Sequence, residues 1–265
     1  MNSIEISVNN RAFLFGDAVQ VHFFVRNGDL IFSEDCYFFL MASMRKMRMK
    51  IPLTYTLEAI EKLLNHEIKE KKLQNAFLHF LVFRGENSKG DLTKSEVGYH
   101  IQILEKPNDL LSISGLVEMD FIKEITVNTN FLSSIYTHST ENIYAEIYAK
   151  DNDLGEAILL NKDKRIARST FGNLLFLEQK TIKIPKQSEG AYISPLLERF
   201  VTFVHQNQLA TIEEAELSAF ESQKADEILL ISDAKGIFGV SKIRNKNFEN
   251  QQFTEMLQCW KQAMW

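Results

Sequence analysis

Three histidines, His79, His100 and His138, are placed where an imidazole could line a cavity and move a proton. His138 follows Ser134 by four residues, a pairing that would suit a hydroxyl nucleophile with an adjacent base. No third orienting group and no oxyanion hole accompany them, so the pair is not read as a catalytic dyad. His79 alternates with Phe77 and Leu81 and shares their strand face, which makes it a core or interface side chain. The Lys69–Lys72 run is the densest basic cluster. It falls at the end of an expected helix and reads as a solvated last turn, not a phosphate patch. Cys36 and Cys259 lie too far apart for any zinc spacing and imply no disulfide framework.

A chain of 265 residues, 45% hydrophobic and 25% charged, suits a soluble protein with one large core or two modest ones. A net charge of −5 argues against broad nucleic-acid binding, which needs a concentrated basic face. The opening MNSIEISVNN is polar and alternating, with no apolar leader. Nowhere do about eighteen apolar residues run together, so a cytoplasmic protein without a membrane segment is expected.

Alternation at Ile4, Ile6 and Val8 predicts a strand, and Val21–Val25 running into Asn27-Gly28 predicts a hairpin. Leu30–Phe32 should be its second strand, with Ser33 capping a helix that runs to about Met49. A second helix follows Thr56, with Leu57, Ile60, Leu63, Leu64 and Ile68 on one face. Phe77–Arg84 and Tyr99–Glu105 pair as strands around the polar loop Gly85–Ser95. Residues 106–116, with Pro, Asn and Gly, read as a crossover between a 1–110 subdomain and a 111–265 subdomain. The second half predicts strands near 121–128, 156–161, 172–177, 181–184, 228–232 and 236–240, and helices at 139–150, 195–207 and 251–264. Mixed elements in both halves indicate an α/β (α+β) architecture.

Three segments, in this order and spacing, resemble class IV aminotransferases. NRAFLFGD, with Arg11, Phe13, Gly16 and Asp17, is similar to the family's RGF-x-YGD opening before its hairpin and helix. EAILLNKDKRIARSTFGNLLF, with Glu156, Ala157, Asn173, Leu174 and Phe176 or its neighbour, is similar to the cofactor-bearing sheet. ADEILLISDAKGIFGV, residues 225–240, is similar to the last conserved run. The resemblance implies a two-subdomain, D-amino-acid-aminotransferase-like fold (fold type IV), with aminodeoxychorismate lyases, branched-chain and D-amino-acid aminotransferases as relatives. It also implies a homodimer.

The residues that would do the family's chemistry differ. The lysine that forms an imine with pyridoxal phosphate should fall at Ser134 or Ile135, and the stretch FLSSIYTHSTENIYAEIYA contains no lysine. Lys123 and Lys150, the nearest amines considered as substitutes, read as solvated surface lysines. The phosphate-binding arginine falls on Phe39, where loss of a charged hydrogen bond would cost on the order of 1.5–3 kcal/mol. The glutamate facing the pyridine nitrogen falls on Arg168, and the tyrosine of YGD on Phe15. Phe15 and Phe39 are expected to fill the former cofactor cavity. Ser194 at a helix start and Ser232-Asp233 in the second phosphate loop remain as an anion nest, with Asp233 and Glu198 carrying the wrong charge for a phosphate. Arg84-Gly85 matches a strand-end Arg-Gly and could engage a carboxylate, or simply be exposed.

The expectation is a non-catalytic, dimeric class IV relative that binds no pyridoxal phosphate and has a binding or structural role. Its residual cleft, with Phe15, Phe39, Arg84, Arg168 and Ser232, would take a small anion or carboxylate. The alternative is a working aminodeoxychorismate lyase or transaminase that uses pyridoxal phosphate and a displaced lysine.

Overall fold

The computed structural model describes residues 10–85, 95–106 and 108–264. The strand expected at Ile4–Val8, the interior of the Gly85–Ser95 loop and Pro107 lie outside them. The chain forms two compact units, one holding the described residues up to Asp109 together with Ile135–His138, the other Leu110–Ser134 and Ser139 onward.

In the first unit, β1 (Ala18–Arg26) lies between β2 (Asp29–Ile31) and β3 (Ala76–Arg84), and β4 (Val97–Glu105) completes an antiparallel sheet in the order β2-β1-β3-β4. The β1–β2 turn forms as expected because Asn27 and Gly28 both take positive φ, 53° and 86°, which matches strand twist. A short helix, α1 (Arg11–Phe15), ends at Gly16, whose φ of 64° stops it. Helices α2 (Ser33–Lys46) and α3 (Leu57–Lys71) follow. Thr56 caps α3 through the Ala59 N–H at 3.2 Å, and Ile60, Leu64 and Ile68 are its buried face. Lys71 pairs with Glu67 at 3.0 Å on the exposed last turn of α3.

Ser33 departs from its expected role. Phe32 occupies the cap position of α2 with φ 56° and makes no side-chain cap bond. The Ser33 hydroxyl instead donates to Glu61 Oε1 at 2.6 Å, tying α2 to α3. The helix also stops at Lys46, short of Met49.

The second unit is built on a nine-stranded sheet. Its strands are β5 (Ile113–Phe121), β6 (Glu156–Leu160), β7 (Ile166–Ser169), β8 (Asn173–Glu178), β9 (Thr181–Pro185), β10 (Thr211–Ala215), β11 (Glu227–Ser232), β12 (Gly236–Ile243) and β13 (Lys246–Asn247). They run β10-β9-β8-β11-β12-β5-β6-β7, with β13 on β12. The strand expected near 121–128 starts eight residues earlier, inside the predicted crossover. Gly115 read as a breaker, but β5 pairs on both sides, parallel to β12 and to β6, and this pairing holds it extended.

Helices α4 (Thr140–Asp151), α5 (Pro195–Gln206) and α6 (Gln251–Ala263) match expectation. Ser139 and Ser194 cap α4 and α5, and Pro195 stands at the first helical position of α5. One face of the sheet buries Phe121, Ile158, Ile166, Leu174, Phe176, Ile228, Leu230 and Val240 in a single cluster. Ala145 and Ala149 of α4 pack with Ala157, Leu159 and Ala167 on the other. Each fully buried leucine, isoleucine or phenylalanine contributes about 1.5–3 kcal/mol, which fixes the strand ends that carry the site. Among the described residues, no helix is long and apolar enough to cross a membrane.

Candidate functional site

In the second unit, α5 begins at the turn between β11 and β12. Ser194 accepts a hydrogen bond from the Leu197 N–H at 3.2 Å and donates its own proton to Asp233 Oδ1 at 2.5 Å. The Leu196 N–H points at the same oxygen from 3.4 Å. Both side chains are buried. A carboxylate of the chain itself therefore caps the positive end of α5. Burial raises the Asp233 carboxyl to about 7, against the pull of the bonds from Ser194 and Leu196. Ser232 is buried and internally engaged, donating to Phe171 O at 2.6 Å and accepting from the Lys235 N–H at 3.1 Å. Glu198 is exposed on the first turn of α5.

Arg168 projects from β7 and is buried, with its guanidinium stacked 4.3 Å from the centre of the Tyr192 ring. Its Nη2 donates to Asn142 Oδ1 at 2.9 Å, and Asn142 Nδ2 donates in turn to the Tyr192 hydroxyl at 2.7 Å. Asn173 is also buried. It holds the Tyr192 backbone from both sides, donating to the carbonyl and accepting from the N–H, each at 2.9 Å. Glu156 is buried beside them on β6 and pairs with Lys235 Nζ at 2.6 Å, while that amine rests 4.1 Å above the Phe171 ring. The Ser134 carbonyl accepts from the Ile193 N–H at 3.0 Å, which anchors the entry to α5.

The first unit holds the other expected positions. Arg84 is buried, not exposed. Its Nε meets the Asp17 carboxylate at 3.1 and 3.3 Å, and its Nη2 and Nη1 donate to the carbonyls of Met47 at 2.7 Å and Arg48 at 3.3 Å. The carboxylate it engages is thus Asp17, which also pairs with Arg11 Nε at 2.8 Å. This replaces the expected contact with a ligand carboxylate, because internal acceptors already face the guanidinium. Phe15 likewise departs from expectation. It is 65% exposed at the end of α1, with the Arg11 guanidinium 4.7 Å from its ring, so it fills no cavity within this unit. Phe39 is buried on α2 and packs edge-on against Tyr136 at 6.2 Å. Ile135 is buried too.

Among the histidines, His79 stacks on His22 across β1 and β3, with ring centroids 4.7 Å apart. Burial lowers the His22 imidazole to about 3, helped by His79, and burial also lowers His79. Such a pair is neutral at ordinary pH. His100 and His138 are exposed, as are Lys123 and Lys150, and Lys150 pairs with Glu146 at 3.1 Å. Among the described residues, no cluster of three metal-ligating side chains occurs.

Tyr192, Asn142 and the Glu156–Lys235 pair were not singled out by the sequence. The partners lie 26, 50 and 79 residues apart, so no local spacing announces them.

The architecture, a mixed α/β chain with a curled nine-stranded sheet, is that of fold type IV aminotransferases. The family profile of Amino-transferase class IV matches residues 22–243, and the chain belongs to that family. Solved structures agree in fold. One from Legionella pneumophila, provisionally designated a 4-amino-4-deoxychorismate lyase, superposes with a TM-score of 0.85 at 18% identity, covering 98% of this chain and 96% of that one. The branched-chain aminotransferase of the archaeon Thermoproteus uzoniensis, solved with norvaline, gives 0.87 at 14% identity, covering 97% and 89%. A hypothetical aminotransferase from Mycobacterium tuberculosis, in a form bound to pyridoxal phosphate (PLP), gives 0.81 at 14% identity, covering 97% and 93%.

Proposed function

We propose that this protein is a class IV aminotransferase relative that has given up pyridoxal phosphate catalysis and serves as a binding or structural protein. The observation that carries this reading is the Asp233 carboxylate seated on the start of α5, hydrogen-bonded to Ser194. The family resemblance puts the cofactor's phosphate at that helix end. Above about pH 7, where Asp233 is ionised, a dianion brought there would meet a like charge in a buried setting, where repulsion is weakly screened. The same resemblance puts the imine-forming lysine at Ser134 or Ile135, neither of which has an amine. Lys235, the amine in the second unit beside the sheet's Glu156, is held by that carboxylate at 2.6 Å. The residues present therefore do not fit the cofactor as the family holds it.

As a partner we assign a second copy of the chain, in line with the family resemblance, and as a ligand a small anion or carboxylate. We also place the protein in the cytoplasm, where an exposed thiol such as that of Cys259 stays reduced. Light scattering on the purified protein tests the dimer.

The catalytic question is tested by mixing the protein with excess pyridoxal phosphate, recording its spectrum, and treating it with borohydride before peptide mass spectrometry. The expected protein stays colourless and carries no adduct. A lysine-bound absorbance band, with an adduct mapped to any lysine, would establish a working lyase or transaminase with a displaced lysine instead. Transplanting Ile135→Lys with Phe39→Arg is expected to restore no cofactor binding while Asp233 remains. Adding Asp233→Asn should permit it.

A further inference from the structure

Strand β10 ends the nine-stranded sheet, and among the described residues only β9 pairs with it. The Thr211 N–H donates to the Lys180 carbonyl at 2.8 Å, and the Ala215 carbonyl accepts from the Lys186 N–H at 3.2 Å, both on the β9 side. Along a strand, successive residues turn their backbone groups to opposite sides. Ile212 and Glu214 therefore present their N–H and C=O groups outward, as a template for a further strand.

The same two residues line a groove between α5 and the sheet. Ile184, Ile212, Leu197, Val201 and Tyr192 make it mainly apolar, and its volume of about 60 Å³ has room for a short aliphatic side chain. Glu198 and Glu214 are the charged residues of the lining, and both are exposed. Glu213, also exposed, stands on the other face of β10. Lys183, beside Glu213 in register, pairs with Glu178 at 2.6 Å, and Lys186 pairs with Glu216 at 3.4 Å. The edge is thus apolar in its groove and negative around it.

We propose that β10 and the α5 groove form a docking site for an extended segment of a partner protein, which adds to the sheet as a further strand. The segment sets a short apolar side chain beside Ile212 and carries lysine or arginine around it, opposite Glu213 and Glu214. Charge decides against a second copy of this chain as the occupant. A β10 edge paired with its twin would bring glutamates against glutamates, and like charges across a strand pair destabilise it. The site therefore lies apart from any dimer contact, and it holds whether or not the protein keeps cofactor chemistry.

Three capped peptides test the proposal when titrated into the full-length protein: KVKVK, EVEVE, and KVKVK with every peptide nitrogen methylated. Binding is read by calorimetry and by the amide NMR signals of β10. KVKVK should bind saturably, weaken with added salt, and move the Ile212 and Glu214 signals. The other two should bind about tenfold more weakly or worse, one for its charge and one for its lost hydrogen bonds. Glu214→Pro removes an outward N–H at an edge, where proline is tolerated, and should lower KVKVK affinity by about tenfold or more. If that variant fails to fold, Glu213→Lys combined with Glu214→Lys decides the matter, and its preference should reverse to EVEVE. No saturable binding of KVKVK would overturn the proposal, as would equal binding of EVEVE or of the methylated peptide. A protein dimer that Glu214→Pro takes apart in light scattering would also overturn it, because a second copy would then hold the edge.

Discussion

Asp233 presents a carboxylate oxygen 2.5 Å from the Ser194 hydroxyl, so the start of α5 is closed by a charge belonging to the chain. The pH behaviour of that contact follows from its burial. The folded carboxyl titrates at about 7 and the unfolded one near 3.8, so between these values the folded state holds the extra proton. Its contribution to stability is complete below about pH 4 and fades as pH rises toward 7. Asp233→Asn keeps the acceptor oxygen and removes the titration. The variant should be about 1–3 kcal/mol more stable than the parent at pH 8 and nearly equal to it at pH 4, by urea unfolding at both pH values.

The stacked imidazoles behave in the opposite sense. His22 is lowered to about 3, so the unfolded chain takes up a proton first as pH falls below 6.5. Stability is full above that value and is lost on acidification. The Nδ1 of His22 has no hydrogen-bond partner among the described residues, so Phe can replace the ring without stranding an acceptor. His22→Phe should recover about 2 kcal/mol at pH 5 relative to the parent and little at pH 8, by thermal or urea unfolding.

Asp17 joins two guanidinium groups, Arg11 at 2.8 Å and Arg84 at 3.1 Å. Removing it takes from Arg84 the carboxylate that its Nε meets. Asp17→Ala should cost about 3–5 kcal/mol, the usual penalty for removing one partner of a buried ion pair. Arg11→Ala should cost under about 1 kcal/mol, since Arg11 is the more exposed partner. Equal losses in the two variants would refute this ranking.

Gly172 precedes Asn173, and a Cβ there would stand 2.4 Å from the Ile231 carbonyl oxygen. That oxygen belongs to β11, which pairs with β8 and cannot retreat freely. Gly172→Ala should destabilise the protein by about 2 kcal/mol or more and loosen the Asn173–Tyr192 clamp. Hydrogen exchange at the Tyr192 amide reports the second effect.

Helices were the most legible part of this chain. Thr56, Ser139 and Ser194 announce α3, α4 and α5 because each cap is a local bond within three residues. Ser33 misled for the same reason, since its hydroxyl answers Glu61, 28 residues away. Strand β5 was hidden by Gly115 and revealed only by its parallel neighbours, which come from distant sequence. β10 was missed because three of its five residues, Thr211, Glu213 and Glu214, are exposed, and its edge pairs only with β9. At the candidate site, Ser194, Asp233, Asn173 and Arg168 were visible through the family pattern. Tyr192 and Asn142, which give Arg168 its setting, follow no pattern, and Arg84 was misjudged because Asp17 lies 67 residues before it.

Strand β5 sits directly between β12 and β6, and β12 is more than one hundred residues further along the chain. During synthesis β5 must therefore wait with one edge bare until β12 has left the ribosome. A parallel pairing across so long a loop closes slowly, and a bare edge invites strands from other nascent chains. Yield in the cell will thus depend on chaperones that shield this edge, and a translation stall before residue 236 should drive the product into inclusion bodies.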